Sequence, residues 1–199
     1  FSISDELDQQ MCKHCVALSI VPLTSTPVNP SIKLRNGTMT FLSFKNRVYG
    51  LTCKHVVESR KKANNLNDDT NYSFFTFANR TLAVVDRFVY LPPLDFIEEM
   101  PDLAIREIHP DMPAAIGKTP ISLDHLRDLP VDSLTHGIAV GFPEEKKHEH
   151  RDQIGVKVAE VCTFALAEIN PNPGTRLWLY SELPNSPNIE NYSGMSGGP

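Results

Sequence analysis

The stretch NYSGMSGGP, residues 191–199, sets Ser196 among Gly194, Gly197 and Gly198. A neutral hydroxyl is a poor nucleophile and needs a base to take its proton. A carbonyl under attack develops negative charge on its oxygen, and backbone N–H groups are preorganised donors for it. Two N–H groups converge on one point only where the chain turns sharply and no side chain blocks the approach, and glycine permits both. Gly194 and Ser196 stand where they would offer those two amides, with Gly197 and Gly198 leaving room behind the hydroxyl. Alone, the same residues also suit a tight turn carrying a spectator serine.

Two further stretches supply the groups such a hydroxyl requires. In GLTCKHVVES, a strand over residues 48–52 runs into His55, which apolar residues follow. Imidazole is the side chain best matched to proton transfer near neutral pH. In PDLAIREI, Asp102 opens a short apolar strand just after Pro101. A carboxylate beside an imidazole orients the ring and stabilises its protonated form. Each residue alone has a plain structural reading, as a packed histidine or a strand-capping aspartate; together they make one acid–base–nucleophile set.

GLTCKHVV resembles the T-A-x-H motif of the trypsin-like (chymotrypsin-fold) serine peptidases, DLAI their D-[IL]-A motif and GMSGGP their G-x-S-G-G-P motif. The order His, Asp, Ser is that family's order. HGIAVGFP resembles a strand of its bacterial members, and the resemblance covers roughly residues 15–199. It implies that His55 is the general base and then the general acid, Asp102 its orienter and Ser196 the nucleophile, with the oxyanion hole formed by the amides of Gly194 and Ser196. It implies two antiparallel six-stranded β-barrels, the first carrying His55 and Asp102 and the second Ser196. It also implies a polypeptide substrate, acyl-enzyme chemistry and neither metal nor cofactor. Glu190, six residues before the serine, lies near the family's pocket floor. An acidic floor would favour Lys or Arg in the substrate, whereas a loop glutamate would simply be solvated.

The sequence departs from the family in places. Cys53 occupies the usual Ala position, where it can fill a core gap as buried thiols do. Val56 rather than a Cys directly follows His55, so the disulfide that animal trypsins close around their histidine is not expected; Met195 stands where digestive enzymes place an Asp, so activation by a newly cut N-terminus is not expected either. The chain is therefore similar to the bacterial or intracellular branch. The family's further strands after the serine loop do not follow Pro199. The second barrel is expected to be incomplete at its C-terminal end, a missing C-terminal segment or additional domains are expected, and the 199 residues alone are expected to be unstable or inactive.

The elements that must position these groups read as short strands with turn signals, hence an all-β fold; periodicity alone does not separate sandwich from barrel. CVALSIVPL, the hairpin TMTFLSFKNRVYGLT with Lys45-Asn46-Arg47 as its turn, YSFFTF, TLAVVDRFVYL and DLAIREI make a first strand-rich half. HGIAVGFP, IGVKVAEVCTFALAEI and RLWLYSEL make a second. Between them the Pro-rich stretch from residue 111 reads as a linker. A short polar helix is expected near residues 4–11, and KKANNLNDDTN reads as a polar loop. The domain division is an N-terminal extension over 1–14, a first barrel over 15–112 and a second over 113–199.

Composition narrows the partners. A net charge of −5 gives no electrostatic pull toward nucleic acid, and no apolar run is long enough to span a bilayer. Sixteen prolines and 8% aromatics suit a loop-rich protein of short strands, while 41% apolar residues can still bury a core. Cys12-Lys13-His14-Cys15 has the spacing of half a zinc site or a redox pair, but no second pair with ligand spacing accompanies it. His148 and His150 lie in the charged stretch EEKKHEHRD, which reads as a solvated hairpin tip. The four sequons at Asn36, Asn71, Asn79 and Asn191 follow from an Asn-rich composition, and a glycan on Asn191 would obstruct the serine loop. The expected compartment is therefore cytoplasmic. Two function classes follow: a serine endopeptidase, or a non-catalytic module binding extended peptides on the same fold.

Overall fold

The computed structural model describes residues 10, 12–23, 36–66, 72–78, 81–90, 101–124, 136–143, 148–149, 157–158, 163–170 and 178–180. These residues are mostly β-sheet, with few helices, and the first sheet curls into an antiparallel half-barrel. Among the described residues, no helix is long and apolar enough to cross a membrane.

Strand β1 (Cys15–Pro22) is central to the curl. Its first half, Cys15 to Leu18, pairs with β2 (Gly37–Phe44), and its second half, Ser19 to Pro22, pairs with β4 (Tyr72–Ala78). One strand thus hands the sheet from one neighbour to the other and turns it through a corner. Successive side chains point to opposite faces, and both faces of β1 are covered. Val16, Leu18 and Ile20 enter the main core, while Cys15 and Ala17 join Val140 and Phe142 in a second cluster. Burial on both faces explains why CVALSIV reads as an unbroken apolar run rather than an alternation.

The expected hairpin forms between β2 and β3 (Arg47–Thr52), but with a shorter turn. Phe44 lies opposite Arg47, so Arg47 is already in the strand. Lys45 and Asn46 alone make the turn, with φ of 46° and 62°. Two consecutive left-handed residues match the twist of the flanking strands. The expected single strand TLAVVDRFVYL is instead β5 (Thr81–Val84) and β6 (Val89–Tyr90). Between them Arg87 adopts φ of 66° and donates its N–H to Asp86 Oδ1 at 2.7 Å, so Val85 and Phe88 can both turn inward. Phe88 meets Phe74 edge to face, ring centroids 5.5 Å apart.

The sheet order is β5-β4-β1-β2-β3-β7-β6, where β7 is Ala104–Ile108; β8 (Ile121–Ser122) lies parallel beside β2. Helix α1 (Lys54–Leu66) occupies residues 61–66 of the stretch expected to be a polar loop. Its buried stripe consists of Val56, Val57 and Ala63, with the Arg60 guanidinium 5.3 Å from the Phe74 ring centroid and ion-paired to Asp86. An arginine covering apolar surface with its stem hides the helical period from the sequence.

The Pro-rich stretch begins by folding back on the first sheet. Pro113 stands at the start of the short helix α2 (Met112–Ala115), Ile116 is 1% exposed in the main core, and Gly117 reverses the chain at φ 70°. Left-handed glycine is the usual helix stop. Beyond it, β9 (His136–Gly141), β12 (Thr163–Asn170) and β13 (Trp178–Tyr180) form an antiparallel sheet of order β13-β12-β9. A separate ribbon pairs β10 (His148–Glu149) with β11 (Lys157–Val158). Within the stretch expected as one strand, IGVKVAEVCTFALAEI, β11 and β12 are distinct elements. Phe142 ties this region to the first sheet, donating its N–H to Thr38 Oγ1 at 3.1 Å.

Candidate active site

Sheet register brings His55 and Asp102 together. Strands β3 and β7 pair antiparallel, with Thr52 opposite Ala104. The residues just past the end of β3 therefore lie beside those just before the start of β7. Thr52 is fully buried and donates its hydroxyl to Thr38 O at 2.8 Å, which fixes the strand end. Cys53 follows, and α1 begins at Lys54. Val56 and Val57, both buried, hold the first turn against the core, and His55 remains 37% exposed at its side chain.

Asp102 holds that turn at three points. Its backbone carbonyl accepts the Lys54 N–H at 3.2 Å, its Oδ1 accepts the His55 N–H at 3.0 Å, and its Oδ2 lies 2.5 Å from His55 Nδ1. A carboxylate only accepts, so the Nδ1 proton is the donor, and in the neutral imidazole the lone pair is then on Nε2. The first turn of α1 contains no acidic residue. Asp102 supplies from another element the negative charge that a helix N-terminus favours. The carboxylate thus orients the ring and caps the helix that carries it.

Two lysines of α1 turn toward Tyr90. Lys54 Nζ lies 3.8 Å from Glu58 and 5.3 Å from the Tyr90 ring centroid, and Lys61 Nζ lies 4.2 Å from the same centroid. Cys53 packs against the main core, and its Sγ, one ligand atom of His55 and one of Asp102 lie within 4.8 Å of one another. Sequence reasoning placed Cys53 as a gap filler. Its standing two residues before the histidine was the signal that a thiol would share the corner.

Ser196, Gly194 and Glu190 lie outside the described residues, as do Cys162, His150, Asn71, Asn79, Asn191 and nearly all of the expected helix at 4–11. The Cys12–Cys15 stretch is strapped to residues 118 and 119. His14 Nδ1 donates to Thr119 O at 2.7 Å, Thr119 N–H donates to Lys13 O at 2.8 Å, and Lys118 Nζ donates to Cys12 O at 2.8 Å. Cys15 is fully buried in the second cluster. Asn36 is 6% exposed and its Oδ1 accepts the Ile20 N–H at 2.8 Å, so the folded chain leaves no room for a glycan there.

A scan of protein-family models and searches of curated proteins and of solved structures gave no match to this chain.

Proposed function

We propose that the chain is a serine endopeptidase of the trypsin-like kind, built on two antiparallel β-barrels. The observation that carries this reading is the doubled contact between two residues 47 positions apart, His55 Nδ1 to Asp102 Oδ2 at 2.5 Å and His55 N–H to Asp102 Oδ1 at 3.0 Å. The motif order in the sequence calls for the same pair. The solvent-facing ring and the proton on Nδ1 also suit a base that must meet a third group through Nε2.

In this mechanism Ser196 Oγ attacks the peptide carbonyl while its proton passes to His55 Nε2. Asp102 stabilises the imidazolium that forms, and the Gly194 and Ser196 amides take the charge on the carbonyl oxygen. Collapse of the tetrahedral intermediate expels the amine, which takes the proton from Nε2. Water, deprotonated by the same nitrogen, then releases the acid and restores Ser196.

Labelling with a fluorophosphonate tests the reading. In the full-length protein the wild type is expected to label at Ser196, and Ser196→Ala and His55→Ala to remain unlabelled with unchanged circular dichroism. A folded full-length wild type that never labels, yet binds extended peptides, would establish the non-catalytic module instead.

A further inference from the structure

We propose that Cys53, His55 and Asp102 form a Zn2+ site whose occupation switches the acid–base pair off. The site stands on geometry alone; its inhibitory consequence rests on the role proposed above for His55. Thiolate, imidazole and carboxylate are the three donor types zinc accepts, and here they come from one corner of the sheet, their ligand atoms within 4.8 Å of one another. Zinc–ligand bonds of roughly 2.0–2.3 Å in a tetrahedron put donors about 3.3–3.7 Å apart. The cluster therefore needs adjustments of about an ångström: the 2.5 Å Nδ1–Oδ2 contact opens as the ion replaces the proton between them, and the wider separations, up to 4.8 Å, close.

Charge and access agree with this. One thiolate and one carboxylate neutralise the dication. The Lys54 ammonium, beside His55 in the chain, faces Glu58 and the Tyr90 ring. The side chains of His55 and Asp102 are 37% and 54% exposed, so an ion reaches the site from solvent, and water completes its fourth position.

The chemical consequence follows from proton bookkeeping. Zinc on Nδ1 displaces the Nδ1 proton, and a neutral imidazole then carries its one proton on Nε2. Binding releases the thiol proton to solvent. Nε2 is the nitrogen that must accept the Ser196 proton, and an N–H there cannot accept. Occupation thus removes the orienting carboxylate and the basic lone pair together.

The test begins with protein freed of metal by a chelator and titrated with Co2+, which reports thiolate coordination by a charge-transfer band. The band is expected to saturate at one equivalent, to be displaced by Zn2+, to vanish in Cys53→Ser and to survive in Cys12→Ser. Asp102→Asn is expected to keep the band at weaker affinity. Hydrolysis of a reporter peptide is expected to fall about tenfold with Zn2+ at ten times its dissociation constant and to return with chelator, while Cys53→Ser loses that sensitivity. Absence of the band, or its survival in Cys53→Ser with native near-ultraviolet dichroism, would overturn the site. A zinc-saturated protein that hydrolyses at an equal or higher rate would overturn the switch. A full-length protein with a Cys53-dependent band that never reacts with fluorophosphonate would keep the site and refute the peptidase reading.

Discussion

Asp102 serves two ends through one carboxylate, and substitution separates them. Asn at this position keeps an oxygen for the His55 N–H but turns an NH2 toward Nδ1, which imposes the wrong tautomer. Asp102→Asn is expected to lower kcat about 10^4-fold while leaving denaturant unfolding near wild type. Asp102→Ala also uncaps α1, and at this half-exposed site it is expected to cost a further ~1 kcal/mol of stability. Steady-state kinetics and urea melts of both variants separate the roles; equal melting of the two would show that the cap contributes nothing. The contact of His55 with Asp102 was legible in the sequence because an imidazole and a carboxylate stand at the ends of two apolar strands. The three-point grip was not, because it depends on which backbone N–H groups the carboxylate meets across the sheet.

At the scale of elements, the strands were legible where one face or both are buried, as in CVALSIVP and GTMTFLSF. The helix was not. Its stripe of Val56, Val57 and Ala63 is short, and Arg60 fills the gap with an aliphatic stem and a charge. The break between β5 and β6 was equally hidden, since Arg87 carries no glycine-like signature for its left-handed backbone. Close packing within the β2–β3 hairpin leads to a separate expectation. A Cβ on Gly50 would stand 2.6 Å from Met39 Sδ and 3.3 Å from Met39 Cγ, and Met39 is fully buried. Gly50→Ala is expected to destabilise the protein by about 1–3 kcal/mol through overpacking. The double variant with Met39→Val is expected to recover part of that loss, read as a coupling energy from chemical denaturation.

At the scale of the molecule, the second cluster joins the two regions. Cys15 and Ala17 from β1 meet Val140 and Phe142, and Phe142 is 5% exposed. Phe142→Ala is expected to cost about 3–5 kcal/mol and to uncouple unfolding. The single tryptophan, Trp178, lies on β13 of the far sheet, so its fluorescence reports that region while far-ultraviolet dichroism reports both. Coincident transitions in the wild type and separated ones in Phe142→Ala would bear this out. Overlap in both would assign the coupling elsewhere. A mostly β fold was legible from the spacing of apolar runs. The corner in β1 was not, because it arises from a change of partner midway along one uniform strand. The grip of Asp102 on α1 also sets an order of events on the ribosome. Translation at about 5–20 residues per second puts roughly 2–9 s between the emergence of His55 and that of Asp102, 47 residues later. A nascent chain shorter than that carries an imidazole with no carboxylate to aim it. Until β7 docks along β3, the first turn of α1 also lacks its cap.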